Sequence, residues 1–134
     1  MNPHIQNGIA VTGALGNLGW KLLCHLAEHS AAPRLVGLDL RDAEPGRLEQ
    51  LQTISEIHTD PPQIDLITCD LSDWQDQRWR TAINEVSAVV HFAAKNPFPE
   101  ATWDDATVSI DMTNNLSQAA TDSPTLSRFV FATS

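Results

Sequence analysis

The sequence contains no tyrosine and only two lysines, Lys21 and Lys95. A proton-transfer mechanism built on a tyrosine paired with a lysine therefore cannot be completed by these 134 residues. Basic residues of either kind number eight against seventeen acidic ones, for a net charge of −9, and no basic patch interrupts the balance. Long-range attraction to nucleic acid or to an anionic membrane surface is excluded on that ground. Two cysteines, Cys24 and Cys69, lie in separate apolar segments without the C-x-x-C spacing of a redox or zinc motif. They read as buried free thiols. No secretory signal and no apolar run of twenty residues is present, so a cytoplasmic setting is expected. The histidines show no H-E-x-x-H spacing, and no metal is expected.

What is present is concentrated near the start. Gly13, Gly16 and Gly19 stand three apart in Val11-Thr12-Gly13-Ala14-Leu15-Gly16-Asn17-Leu18-Gly19. An apolar run from Gly8 leads into them, and Leu18, Leu22, Leu23 and Leu26 follow at helical spacing. Strand, glycine turn and helix in this order make an anion site, because a helix N-terminus offers unpaired N–H groups and only residues without side chains let a pyrophosphate reach them. A P-loop is excluded, since Leu18 stands five residues after Gly13 and no Gly-Lys-Ser/Thr follows. Asp39 ends the next apolar run, where the ribose hydroxyls of a dinucleotide are bound. Its charge would repel a 2′-phosphate and so favours NAD over NADP, while Arg41, two residues on, is a group that can hold that phosphate.

Along the chain, strands are expected at Gly8 to Thr12, Arg34 to Asp39, around Ile64 to Cys69, Ala88 to Phe92 and Arg128 to Ala132. Helices are expected from Asn17 to about Ser30, briefly around Leu48, Leu51 and Ile54, from Trp74 to Ile83 and from Trp103 to Ala120, with Asp70-Leu71-Ser72-Asp73 providing a cap before Trp74. Asp70 fits capping and adenine contact equally by pattern. His91 reads as a hydrogen-bonded strand histidine rather than a catalyst. The prolines of Asn96-Pro97-Phe98-Pro99 dictate a loop. Strands alternating with helices give a three-layer α/β fold, a doubly wound parallel sheet of Rossmann type, with residues 1–134 as one dinucleotide-binding domain.

Together these residues resemble the amino-terminal half of extended short-chain dehydrogenases/reductases, the NAD-dependent epimerase/dehydratase group. Thr12 to Gly19 is similar to its T-G-x-x-G-x-x-G turn, Asp39 to its ribose acid, and Asp70-Leu71 to its adenine contact. Val90-His91-Phe92-Ala93-Ala94 is similar to its fourth-strand signature, and Arg128 to Ser134 to its fifth strand with the start of its serine cluster. The resemblance implies cofactor contacts from Gly13, Ala14, Leu15, Gly16, Asn17, Leu18, Gly19, Asp39, Arg41, Asp70, Leu71, Ala93, Ala94 and Lys95. It also implies a substrate-oxygen contact from Ser134.

Ser109 and Met112 depart from the family's usual Asn and Gly in the long helix, and the family's Tyr-x-x-x-Lys helix is missing from these residues. The expectation is thus a Rossmann domain truncated after its fifth strand. It is the NAD-binding part of an oxidoreductase that moves hydride to or from a sugar or sugar-acid hydroxyl, inactive alone. The loop around Lys95 and the helix Trp103 to Ala120 resemble those of uronate dehydrogenases, and that helix offers a homodimer contact. The competing expectations are a non-catalytic dinucleotide sensor of the same fold, a fragment of a nucleotide-sugar epimerase or dehydratase, and a structural domain that binds no NAD.

Overall fold

A computed structural model describes residues 7–93 and 102–131. Five strands alternate with four helices: β1 (Ile9–Thr12), α1 (Asn17–His29), β2 (Arg34–Asp39), α2 (Arg47–Ser55), β3 (Gln63–Thr68), α3 (Gln77–Glu85), β4 (Ala88–His91), α4 (Trp103–Asp122) and β5 (Arg128–Phe131). The strands form one sheet in the order β3-β2-β1-β4-β5, and every pairing is parallel. The chain thus works outward from β1 in one direction and then returns to its other side. The crevice at that reversal, beyond the carboxyl ends of β1 and β4, is where doubly wound sheets bind ligands.

Both faces of the sheet are covered, as a parallel sheet requires. Because successive strand residues point to opposite faces, Ala10, Val36, Leu38 and Val89 pack with Trp79, Ile83 and Leu116 of α3 and α4. Ile9, Val11 and Leu35 pack with Leu23, Ala27 and Leu51 of α1 and α2. All four residues of β1 are buried, which explains why Ile9, Ala10 and Val11 run apolar without alternation and why the hydroxyl of the closing Thr12 is hydrogen-bonded internally.

The expected elements are present, with shifts that have local causes. The helix expected to start at Trp74 starts at Gln77, because Asp76 is the residue that caps it, accepting from the Arg78 N–H at 3.0 Å. Asp70 instead closes a turn, accepting from the Ser72 N–H at 3.0 Å and the Ser72 hydroxyl at 2.6 Å. Asp76 binds this turn back to α3 by also accepting from the Asp70 N–H at 2.8 Å. The Arg78 guanidinium hydrogen-bonded to Asp76 holds its carboxyl at about 2. Trp74 therefore lies in the turn, stacked under Arg80 and edge-on to Trp79. Leu18 keeps its helical place but is exposed, since the first turn of α1 opens onto the crevice and not onto the core. At the head of α4, Thr102 and Asp105 form a reciprocal capping box.

Candidate functional site

The glycine turn follows directly from the buried strand β1. Gly13 has φ 63°, and a side chain there would press on the backbone of Phe92 and Ala93 after β4. At Gly19 a Cβ would overlap the Gly13 carbonyl oxygen, so α1 can approach the turn only with glycine at that position. Gly16 is the N-cap residue of α1 and supplies no side-chain cap. The first intrahelical bond runs from the Trp20 N–H to the Gly16 oxygen, 2.9 Å. The N–H groups of Asn17, Leu18 and Gly19 accordingly meet no acceptor among the described residues, as expected of a helix start left open for an anion.

The Asp39 side chain, at the carboxyl end of β2, is only 10% exposed. One carboxylate oxygen accepts from the Leu15 N–H at 2.9 Å, tying β2 to the glycine turn. The other accepts from the Arg41 N–H at 3.0 Å and from the Arg41 guanidinium at a longer 3.3 Å. Burial alone would raise the Asp39 carboxyl, but the Arg41 backbone and guanidinium and the Leu15 N–H outweigh it and hold the group below the ordinary carboxylate range. Asp39 is therefore an anion at neutral pH, facing an exposed arginine.

These groups rim a cleft of about 540 Å³, within the range of small-molecule sites. Gly13 and Gly16 form one end, and Asp39, Leu40 and Arg41 one wall. Cys69, Asp70, Leu71 and Ser72 after β3 form the next, followed by Phe92 and Ala93 after β4. Val108 and Met112 of α4 close the far side. Of the residues expected from sequence, Gly13, Gly16, Asp39, Arg41, Asp70, Leu71 and Ala93 line this cleft, and Ala14, Leu15, Asn17, Leu18 and Gly19 belong to the turn at its end. Ala94, Lys95 and Ser134 lie outside the described residues.

Leu40, Cys69, Ser72 and Val108 also line the cleft and are not among the residues expected there, while Phe92 and Met112, singled out above only as parts of family patterns, line it as well. The i, i+4 spacing of Val108 and Met112, continued by the buried Leu116, is the signal that one face of α4 turns inward.

Cys24 and Cys69 are both free thiols. Burial, reinforced by the nearby Asp76 carboxylate, pushes the Cys69 thiol up to about 12. Iodoacetamide at pH 8 is therefore expected to alkylate Cys24 in the native chain and spare Cys69 until denaturant is added. Peptide mass spectrometry reads this directly, and modification of Cys69 at the faster rate would contradict its enclosure.

The family model described as "NAD dependent epimerase/dehydratase family" matches residues 9–134. The chain belongs to that family. A comparison with curated proteins returns no match.

Among solved structures, it is similar to a short-chain dehydrogenase/reductase superfamily protein from Agrobacterium tumefaciens with bound NAD. That pair is 28% identical with TM-score 0.66, over 94% of this chain and 32% of the other. It also resembles the UDP-glucose 4-epimerase from Bifidobacterium longum in complex with NAD+ and UDP, at 17% identity and TM-score 0.73, over 94% and 36%. A third is the UDP-glucose-4-epimerase from Stenotrophomonas maltophila with bound NAD and formylated UDP-arabinopyranose, at 24% and 0.64, over 94% and 36%. The latter two identities establish the shared Rossmann fold. The chain spans about a third of the length of these solved relatives. No helix among the described residues is long and apolar enough to cross a membrane.

Proposed function

We propose that this chain is the NAD-binding part of an oxidoreductase of the epimerase/dehydratase type, acting on a sugar-derived hydroxyl. The observation that carries the reading is the open first turn of α1 placed beside the Asp39 carboxylate in one cleft. An anion-binding helix start and a diol-binding acid lining one cleft suit the pyrophosphate and adenosine ribose of a dinucleotide.

The chain's own groups have distinct tasks. The Asn17 and Leu18 N–H groups, freed by the glycines, would bind the pyrophosphate. Asp39 would accept from the ribose hydroxyls. A carboxylate has about four acceptor positions, and the long guanidinium contacts from Arg41 are the ones that can give way, since the Arg41 side chain is exposed. The Leu15 bond stays, so ligand capture would leave the turn in place. Leu40, Leu71, Val108 and Met112 offer apolar walls for the adenine ring, with Asp70 beside them as an acceptor. Bound NAD supplies a hydride acceptor. Ala94 and Lys95 would contribute cofactor contacts and Ser134 a hydrogen bond to the substrate oxygen, roles that rest on the family pattern. The exposed side of α4, bearing Trp103 and Ile110, suits a contact between two copies.

Titration calorimetry with NAD tests the reading. Saturable one-site binding with no turnover of sugar-acid substrates by these 134 residues is the expected result, and absence of binding would refute it. A sensor of the same fold would bind NAD equally. An encoded Tyr-x-x-x-Lys downstream of Ser134 separates the enzyme from that sensor.

A further inference from the structure

His91 ends β4, is 1% exposed and takes no part in lining the cleft. Its ring bridges two elements. Nδ1 lies 2.6 Å from the Thr12 hydroxyl at the end of β1, and Nε2 lies 3.1 Å from the Thr113 hydroxyl of α4. The direction of each bond follows from the neighbours. Thr12 Oγ1 already accepts from the Phe92 N–H at 3.0 Å and the Ala93 N–H at 3.1 Å. Its two lone pairs are occupied, so its own proton must go to Nδ1.

Nδ1 is thus an acceptor and the ring proton sits on Nε2, which donates to Thr113 Oγ1. Thr113 in turn donates to the Ser109 carbonyl at 3.1 Å. The chain of donors runs one way, from Thr12 through His91 and Thr113 to the backbone of α4. Burial keeps the imidazole neutral, holding it down at about 4, and the Phe129 and Phe131 rings of β5 pack at its side.

We infer that His91 is a positioning residue: by fixing Thr12 against the Phe92 and Ala93 N–H groups, the Thr12–His91–Thr113 chain sets the spacing between the glycine turn and the end of β4, and α4 thereby holds the cofactor turn in register. This rests on the reading of the cleft as a dinucleotide site. The strand end is where such control matters, because the Gly13 Cα faces the backbone of Phe92 and Ala93 with no room for a side chain. A displacement of a few tenths of an ångström there moves the N–H groups that would meet the pyrophosphate. Thr113 itself does not line the cleft but its neighbour Met112 does, so weaker cofactor binding in a Thr113 variant counts for the bridge only together with a changed His91 ring signature.

Two measurements on the 134-residue chain test the assignment. A long-range proton–nitrogen spectrum of the histidine rings at neutral pH is expected to show His91 as the neutral Nε2–H tautomer. An Nδ1–H tautomer or a cationic ring overturns the proposed chain, whether or not any variant folds. In calorimetry, Thr113→Val is expected to weaken NAD binding about tenfold, with Thr113→Ser, which keeps the hydroxyl, restoring wild-type affinity and the Nε2–H signature. Wild-type affinity in Thr113→Val overturns the assignment alone. Failure of the unmodified chain to bind NAD overturns the cofactor reading and this role with it.

Discussion

Replacing Gly19 with alanine is expected to abolish NAD binding measurable by calorimetry, a loss on the order of 100-fold or more, and to lower the thermal midpoint. The added methyl would overlap the Gly13 carbonyl oxygen, a backbone atom that cannot rotate away. To admit it, α1 must retreat from the turn or Gly13 must leave its left-handed conformation, and Gly13 is itself confined by the backbone of Phe92 and Ala93. Either movement redirects the Asn17 and Leu18 N–H groups. Gly46→Ala is the matching control, at the N-cap of α2 with no atom within 4 Å of the added carbon. Its positive φ costs about 1 kcal/mol of stability and leaves NAD affinity unchanged. Retention of binding in Gly19→Ala would show that the helix start is not the anion site.

Asp39→Ala is expected to reverse cofactor preference. It deletes the acceptor proposed for the ribose hydroxyls and the charge that would repel a 2′-phosphate, so NAD should weaken by about 10- to 100-fold while NADP weakens little or gains. The structure adds a reason absent from the spacing alone: Asp39 is the ion-pair partner of Arg41, and its removal leaves a guanidinium at the rim of the cleft free to meet a phosphate. Parallel calorimetric titrations with the two cofactors decide the point. Equal losses for both would remove Asp39 from its assigned role, and the lost Leu15 bond would then be the whole explanation.

The architecture was legible because each element carried its own local signal. The glycine spacing, the buried β2 run ending in Asp39 and the long helix from Trp103 all sit where their patterns place them. The start of α3 was not legible. Four cap-type residues, Asp70, Ser72, Asp73 and Asp76, crowd into seven positions, and the choice among them is made by partners. Arg78 pairs with Asp76, and the buried Trp79 donates its indole N–H to the Asp73 carbonyl.

The far wall of the cleft was hidden for a related reason. Val108 and Met112 look like any apolar pair on a helix, and only the packing of α4 against the sheet gives them a cleft to face. The His91 bridge joins residues 79 and 22 positions apart, so no window of sequence contains it. Its burial was readable from the apolar strand around it, and its bond directions were not.

β1 lies in the middle of the sheet, paired along its full length to β2 on one side and β4 on the other. The glycine turn is therefore mounted on a strand with no free edge and no exposed residue. A loop held this way has little conformational entropy left to lose when a ligand arrives, and entropy is a main cost of association for mobile binding loops. Affinity at this end of the cleft should then follow the quality of the contacts themselves, with almost none of the interaction spent on ordering the chain.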